Sequence, residues 1–177
     1  MGKQETNRPS WPEYFMGIAE WTAKRSTCDR ANVGSVIVKD NRQIAAGYNG
    51  AISGQPHCDE AGHLLVNGRC LRSNHSELNA LISAARLGIS VVGGTIYATH
   101  FPCWACFKAL LAAGITHIRF KEMKMGGINK AVYDAMFACR GQVEIAGMDG
   151  LSWFHYTPRF ENDELVELTT GNTGKAN

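Results

Sequence analysis

The sequence predicts a single α/β domain of three layers, α/β/α, in which a mixed sheet of about five strands carries helices on both faces. Its 177 residues, 45% of them hydrophobic and 19% charged, suit one domain with a core of its own. A hairpin pattern early in the chain predicts antiparallel strands. The strand and helix patterns that alternate after it predict parallel strands, because an intervening helix returns the chain to the same edge.

The first part of the chain carries a helix, a hairpin and a loop. Apolar residues at helical spacing predict an amphipathic helix over residues 12–26. Residues 33–38 and 43–48 have the composition of strands, and the Asp40-Asn41 pair between them favours a hairpin turn. Residues 49–74 are rich in glycine and polar residues, so we expect a long loop of a functional or ligand-held kind.

The second part alternates helices and strands. We expect its first helix to bury the side that carries Leu78, Leu81, Ile82 and Ala85. The predicted elements are a helix over 75–87 capped by Ser73 or Asn74, a strand over 95–99, a helix over 103–113 opened by Pro102, a strand over 115–121, a helix over 127–139 and a strand over 143–146.

The pattern fades after residue 147. Residues 161–177 are acidic and then small and polar, which is typical of a chain end without a packed core. We therefore expect one domain over residues 8–158 and a mobile tail without chemistry over residues 159–177.

Charge and hydropathy exclude several classes of function. Eighteen Lys and Arg against 16 Asp and Glu leave a formal charge of +2, too little to hold a polyanion such as duplex DNA. The apolar runs are shorter than a bilayer requires, and the polar start of the sequence has no export signal. We expect a cytoplasmic protein, in which six reduced cysteines point to metal binding or catalysis before disulfides.

Two short motifs at helix starts point to a catalytic metal. His75-Ser76-Glu77 opens one predicted helix, and Pro102-Cys103-Trp104-Ala105-Cys106 opens the next. Cys103 and Cys106 lie one helical turn apart, so both sulfurs face one point, and the helix N-terminus stabilises their thiolates. His75 supplies a third ligand and leaves the fourth position of a tetrahedral zinc open to water.

Glu77 completes the chemistry that this zinc site supports. Zinc lowers the pKa of its water toward neutrality, and Glu77 can take that proton and pass it to a ring nitrogen and a leaving amine. Either motif alone can be explained without catalysis by a zinc-bound water, since C-x-x-C also forms structural zinc corners or redox pairs and H-x-E is common by chance. Together they form the pattern of nucleobase zinc deaminases.

Six sequence blocks in order resemble the cytidine and deoxycytidylate deaminase superfamily, and within it the deoxycytidylate (dCMP) deaminases. The resemblance covers about residues 11–120. One departure is Ser76, where the family usually has Ala; its small side chain should leave the backbone N–H available to the base carbonyl. The blocks are Arg25-Ser26-Thr27-Cys28, Val33-Gly34-Ser35-Val36-Ile37-Val38, Gly47-Tyr48-Asn49-Gly50, Pro56-His57-Cys58-Asp59-Glu60, His75-Ser76-Glu77-Leu78-Asn79-Ala80 and Pro102-Cys103-Trp104-Ala105-Cys106.

The resemblance implies a cytidine-deaminase-like fold and hydrolytic deamination of dCMP to dUMP. It implies that Asn49 hydrogen-bonds the sugar hydroxyl or the phosphate, with a turn Asn as the alternative. Arg25, Ser26 and Arg30 are candidates for the 5′-phosphate, and the alternative for the arginines is solvated charge at a helix end. Many relatives are hexamers that dCTP activates and dTTP inhibits, so the resemblance also implies a homo-oligomer with these effectors.

Four further residues suggest a second metal. Cys28, Cys58, His63 and Cys70 offer soft ligands with no nearby carboxylate, which fits a closed structural zinc. Some dCMP deaminases bind a second zinc in a similar way, and these positions look like its ligands. The alternative is that Cys28 is a core thiol and the others are free. A zinc there would hold the loop over residues 49–74, which is too polar to pack by itself.

Two rival functions remain. The first is a deaminase of free cytidine or deoxycytidine, or of a base in RNA or single-stranded DNA; the near-neutral charge argues against a polymer, which needs a basic groove. The second is a zinc-stapled binding module without turnover. Glu77 argues against that module, because a purely structural zinc has no use for a carboxylate two residues after its His.

Overall fold

The computed structural model describes residues 8–123, 128–148 and 156–170. The helices of these ranges are α1 Trp11–Ala23, α2 Cys58–Ala61, α3 Ser76–Arg86, α4 Trp104–Ala112 and α5 Lys130–Ala138. The strands are β1 Gly34–Lys39, β2 Arg42–Tyr48, β3 Gly50–Ala51, β4 Leu65–Val66, β5 Arg69–Cys70, β6 Ser73–Asn74, β7 Thr95–His100, β8 His117–Glu122, β9 Glu144–Gly147, β10 Tyr156–Glu161 and β11 Glu164–Thr170.

Five strands form the central sheet in the order β2-β1-β7-β8-β9. Strand β1 is antiparallel to both β2 and β7, whereas β7, β8 and β9 run parallel. The predicted mixed five-stranded sheet is therefore confirmed. The turn of the first hairpin uses Asp40 and Asn41 at φ of 50° and 55°, the left-handed region that these residue types tolerate.

The sheet buries both of its faces. Side chains alternate along a strand, so Val36 and Val38 of β1 pack with Phe15 of α1 on one face. Ile37 of β1 points to the other face and joins a larger cluster with Ala80 of α3 and residues of α4 and α5. Helices on both faces make the three layers that the sequence predicts.

Helix α3 differs from the prediction in its start and in its buried side. Its N-cap is His75 itself rather than Ser73 or Asn74. The fully buried apolar residues are Ala80 and Ala84; on the predicted side, Leu81 is partly buried against the core as expected, while Ile82 is 40% exposed. The reason is the close approach of α3 to β2: a Cβ on Gly47 would lie 2.3 Å from the backbone N of Ala80, so only small residues fit between them.

The loop over residues 49–74 contains short elements rather than continuous coil. Strands β3 and β6 pair, strands β4 and β5 form a small hairpin, and α2 provides one helical turn. The exposed side chains of this segment show that it has little apolar core of its own, as its composition predicts.

The chain end also differs from the prediction. Strands β10 and β11 form an antiparallel hairpin, so a mobile tail from residue 159 is wrong for residues 159–170. Leu165 is 3% exposed within the main core cluster, and its N–H donates to the carbonyl of Ile128 at 2.9 Å. This burial stabilises the hairpin against an otherwise polar sequence. Residues 171–177 lie outside the described ranges.

No helix within residues 8–123, 128–148 and 156–170 combines the length and hydrophobicity needed to cross a bilayer.

Candidate active site

Two helix starts bring three expected ligands together. His75 is the N-cap of α3, Cys103 is the N-cap of α4, and Cys106 lies in the first turn of α4. Nδ1 of His75 lies 3.4 Å from Sγ of Cys103 and 3.5 Å from Sγ of Cys106. A tetrahedral zinc with ordinary bond lengths separates a ligand sulfur from a ligand nitrogen by about 3.5 Å. Both nitrogen–sulfur distances therefore match the spacing that zinc requires, and all three atoms lie within 4.8 Å of one another.

The topology explains why these helix starts meet. Strand β7 is parallel to β8 and is followed directly by α4, so α4 begins at the carboxyl end of the parallel strands. Helix α3 packs on the same face of the sheet and contacts α4. Functional groups of α/β sheets gather at this edge because helix N-termini converge there.

The protein polarises the two thiols differently. The pKa of Cys103 is lowered to about 3, because the Cys106 thiol donates a hydrogen bond to the Cys103 sulfur and His75 adds a second favourable contact, while burial opposes ionisation. The same contact with Cys103 and then burial raise the pKa of Cys106. One thiolate is thus favoured at neutral pH even without metal, which suits a site that must lose protons to bind zinc.

Glu77 lies next to this triad in a buried position. It is 4% exposed, and burial raises the pKa of its carboxyl, whereas its own backbone N–H and the Ser76 hydroxyl lower it. Ser76 Oγ lies 2.9 Å from Oε2 of Glu77 and 2.7 Å from Oγ of Ser35. His75 is exposed, so the buried carboxylate borders a site that is open to solvent on the histidine side. Such a carboxylate can accept and deliver protons.

Three of the four candidate contacts to the sugar or phosphate already bind backbone groups of the protein. Asn49 is buried; its Oδ1 accepts from the N–H of Val33 and its Nδ2 donates to the carbonyl of Ala31, both at 2.8 Å. Ser26 Oγ donates to the carbonyl of Asn49 at 3.1 Å. Arg25 is exposed, and Nη1 of Arg30 reaches the carbonyl of Gly68 at 3.3 Å. A role for these side chains toward a substrate stays a prediction.

A second group of possible metal ligands lies in the loop over residues 49–74. The ligand atoms of Cys58, His63 and Cys70 lie within 4.8 Å of one another. The sulfurs of Cys58 and Cys70 are 3.8 Å apart, close to the roughly 3.8 Å expected for two thiolates on one tetrahedral zinc. Cys28 belongs to an overlapping group with Asp29 and the same His63.

Sequence reasoning missed three residues at these sites. The expectation of no nearby carboxylate is wrong, because Asp29 Oδ1 lies 2.6 Å from Nε2 of His63; its position directly after Cys28 was the available signal. Ser35 contacts Ser76 across 41 residues of chain, and no local pattern announces that contact. Gly47 allows the close approach of α3. The available signal was a glycine inside a predicted strand, which often marks a place where another backbone comes close.

Comparison with known proteins agrees with this geometry. The model of the cytidine and deoxycytidylate deaminase zinc-binding region matches residues 9–122. ComE operon protein 2 of Bacillus subtilis is 44% identical over 115 residues, which cover 65% of this chain and 61% of that protein. The deoxycytidylate deaminase of Mycobacterium phage D29 is 39% identical over 128 residues, covering 66% of this chain and 98% of the phage protein.

Solved structures show the same fold. The dCMP deaminase of cyanophage S-TIM5, in complex with dCMP and dUMP, is 29% identical with a TM-score of 0.67, covering 81% of this chain and 100% of that one. A tRNA:A34 deaminase structure at 20% identity and a TM-score of 0.55 shares the fold alone. Because the family model matches residues 9–122 and three possible zinc ligands lie close together, the protein belongs to the cytidine and deoxycytidylate deaminase zinc-binding family.

Proposed function

We propose that the protein hydrolyses dCMP to dUMP and ammonia. The observation that carries the proposal is the combination of three converging zinc ligands with a buried carboxylate two residues after the histidine. Relatives at 30–39% identity are named deoxycytidylate deaminases, and the cyanophage structure contains dCMP and dUMP. A structural zinc would need a fourth protein ligand and would leave Glu77 without a purpose.

The proposed mechanism assigns the metal to His75, Cys103 and Cys106. Zinc bound by these residues supplies a Lewis acid that makes an attacking water acidic near neutral pH. Glu77 accepts a proton from that water and delivers it to N3 of cytosine as the water oxygen forms a bond to C4. Glu77 then carries the proton of the new C4 hydroxyl to the amino group, the C4–N bond breaks, and ammonia leaves as the ring becomes uracil. The burial of Glu77 keeps bulk water from competing for these protons.

The remaining site residues are assigned to the nucleotide. Asn49 has one amide hydrogen and one oxygen lone pair beyond its two backbone bonds, enough to meet a sugar hydroxyl or phosphate. The backbone N–H of Ser76 is assigned to the base carbonyl. Arg25, Ser26 and Arg30 are the candidates for the 5′-phosphate. Ser26 and Arg30 bind backbone carbonyls, whereas the Arg25 side chain is exposed to solvent.

A second, structural zinc is assigned to Cys28, Cys58, His63 and Cys70. The 3.8 Å separation of the Cys58 and Cys70 sulfurs supports it. So does Nδ1 of His63, which is buried and has no hydrogen-bond partner among the described residues. A metal would satisfy that nitrogen and would hold a segment that has little core.

A homo-oligomer, with dCTP and dTTP as effectors, is also part of the proposed function. Ile52 and Leu87, which are 56% and 69% exposed, border a groove between β2 and α3 together with Ile82. Apolar side chains around a groove are typical of subunit contacts. Light scattering with and without the two nucleotides tests this part.

A substrate panel tests the main proposal. Ammonia release is measured with dCMP, dCTP, deoxycytidine and a cytosine-containing single-stranded oligonucleotide at one salt concentration. We expect dCMP to have the highest kcat/KM, because the phosphate provides binding energy that places C4 at the metal site. A higher value for deoxycytidine or the oligonucleotide would favour the rival deaminases, and no turnover of any substrate would favour the binding module.

A further inference from the structure

Asp29 and His63 form a short contact beside the second group of ligands. Oδ1 of Asp29 lies 2.6 Å from Nε2 of His63. The other ring nitrogen, Nδ1, is buried and has no hydrogen-bond partner within the described ranges. The Asp29 side chain is 79% exposed and that of His63 is 17% exposed. A carboxylate thus holds one side of the histidine, and the Cys70 thiol contacts the same ring.

This contact decides which ring nitrogen can bind a metal. A carboxylate accepts hydrogen bonds, so Nε2 carries the hydrogen and donates it to Asp29. Nδ1 of the neutral ring then has a free lone pair, which is the form of imidazole that metals bind. A bare buried nitrogen is costly unless something occupies its lone pair. The neighbouring thiols of Cys58 and Cys70 supply the other donors for such an occupant.

The local chain holds Asp29 in this place. The carbonyl of Thr27 accepts from the N–H of Asp59 at 3.2 Å, and the N–H of Cys28 donates to Ser26 Oγ at 3.3 Å. The first contact ties the segment before Asp29 to α2, which begins at Cys58, and the second closes a turn within the segment. One short segment therefore provides a possible thiolate ligand, Cys28, and the carboxylate that follows it.

We propose that Asp29 is a positioning residue for the second zinc: it orients His63 and fixes the tautomer that presents Nδ1 to the metal. This inference rests on the second zinc of the proposed function. Asp29 acts through His63 rather than as a ligand, because its near oxygen is engaged by Nε2 and its side chain faces solvent. Carboxylates that support metal-bound histidines in this way strengthen zinc binding by about 10- to 100-fold.

The test measures zinc content and the competition of a chromogenic chelator for zinc in the full chain. Asp29→Ala should bind the second zinc about 10- to 100-fold more weakly. Asp29→Asn should fall between Asp29→Ala and wild type, because its amide oxygen still accepts from Nε2. Asp59→Ala is the matched control, since Asp59 is an exposed carboxylate that directly follows Cys58, and it should bind zinc as wild type does.

Three outcomes separate the possibilities. Wild-type affinity in Asp29→Ala, with two zinc ions per chain, would overturn the positioning role and leave the second zinc intact. A single zinc per wild-type chain would remove the second site and the inference with it. In cobalt-substituted protein, the ligand-field bands should be the same in wild type and Asp29→Asn; a change in these bands would instead make Asp29 a ligand and overturn the proposal.

Discussion

The hydroxyl of Ser76 lies 2.9 Å from Oε2 of Glu77, and both residues are buried. Ser35 Oγ lies 2.7 Å from Ser76 Oγ. Each hydroxyl has a single hydrogen to donate, so an ionised Glu77 takes the hydrogen of Ser76, and Ser35 donates to Ser76. The proton carrier of the proposed mechanism is therefore held in one rotamer by a chain of two serines.

Ser76→Ala should lower kcat for dCMP about tenfold, the size expected for loss of one hydrogen bond to a charged group. KM and zinc content should stay at wild-type values, because neither the nucleotide contacts nor the metal ligands change. Steady-state kinetics and metal analysis check this. Ser83→Ala, on the same helix, is the control. An unchanged kcat in Ser76→Ala would show that the contact between Ser76 and Glu77 has no role in turnover.

Glu77→Gln should keep its zinc and its fold but lose nearly all turnover. The amide can neither accept nor deliver the protons, and removal of a general acid–base group costs about 10²- to 10⁴-fold, with more expected here because Glu77 serves several steps. Ammonia release measures the turnover, metal analysis the zinc content and circular dichroism the fold. Glu20→Gln on the surface should behave as wild type; near wild-type turnover in Glu77→Gln would refute the mechanism.

Cys58→Ser should lower the zinc content from two toward one per chain and reduce the melting temperature. The catalytic ligands are elsewhere, so the remaining zinc should still support deamination when the variant is folded. Cys139→Ser is the matched control, because Cys139 lies outside both ligand groups and its thiol contacts the carbonyl of Ala135. One zinc per chain in fully active wild type, with no effect of Cys58→Ser, would contradict the second site.

Asn49→Ala should lower kcat/KM for dCMP and also destabilise the fold. The destabilisation is expected because the Val33 N–H loses its partner, at a cost of about 1–3 kcal/mol for a donor left unpaired. The Ala31 carbonyl loses the Asn49 amide but keeps Ser26 Oγ at 3.4 Å. Asn49→Asp keeps the acceptor for Val33 N–H and separates the two effects. Kinetics below the melting temperature of each variant give the substrate effect; equal kcat/KM in all three proteins would restrict Asn49 to a structural role.

Gly47→Ala should destabilise the protein by at least about 3 kcal/mol, the upper end for an overpacked core. The new Cβ would lie 2.3 Å from both Ala80 N and Ser76 O, so α3 and its N-terminal residues must move. Denaturant unfolding checks this. Gly17→Ala is the control: nothing lies within 4 Å of its Cβ, and inside α1 it should gain about 0.5–1 kcal/mol.

Local patterns in the sequence determined the order of the main helices and strands, the mixed sheet and the residues that we assign to the catalytic zinc. Helix and strand periods are set by a few neighbouring side chains, and a C-x-x-C at a helix start places two sulfurs together through one turn of backbone. His75, Cys103, Cys106 and Glu77 were therefore recognisable before any contact was known. The same local information placed Asp40 and Asn41 in a turn.

Tertiary structure decided what depends on contacts between distant segments. The buried side of α3 was predicted only in part: Leu81 packs against the core, but the tight packing on Gly47 selects Ala80 and Ala84 over the larger Ile82. The hairpin of β10 and β11 forms where the sequence looks like a tail, because the core accepts Leu165. The contacts of Ser35 with Ser76 and of Asp29 with His63 join residues more than 30 positions apart, and only packing of the whole domain brings such groups within hydrogen-bond distance.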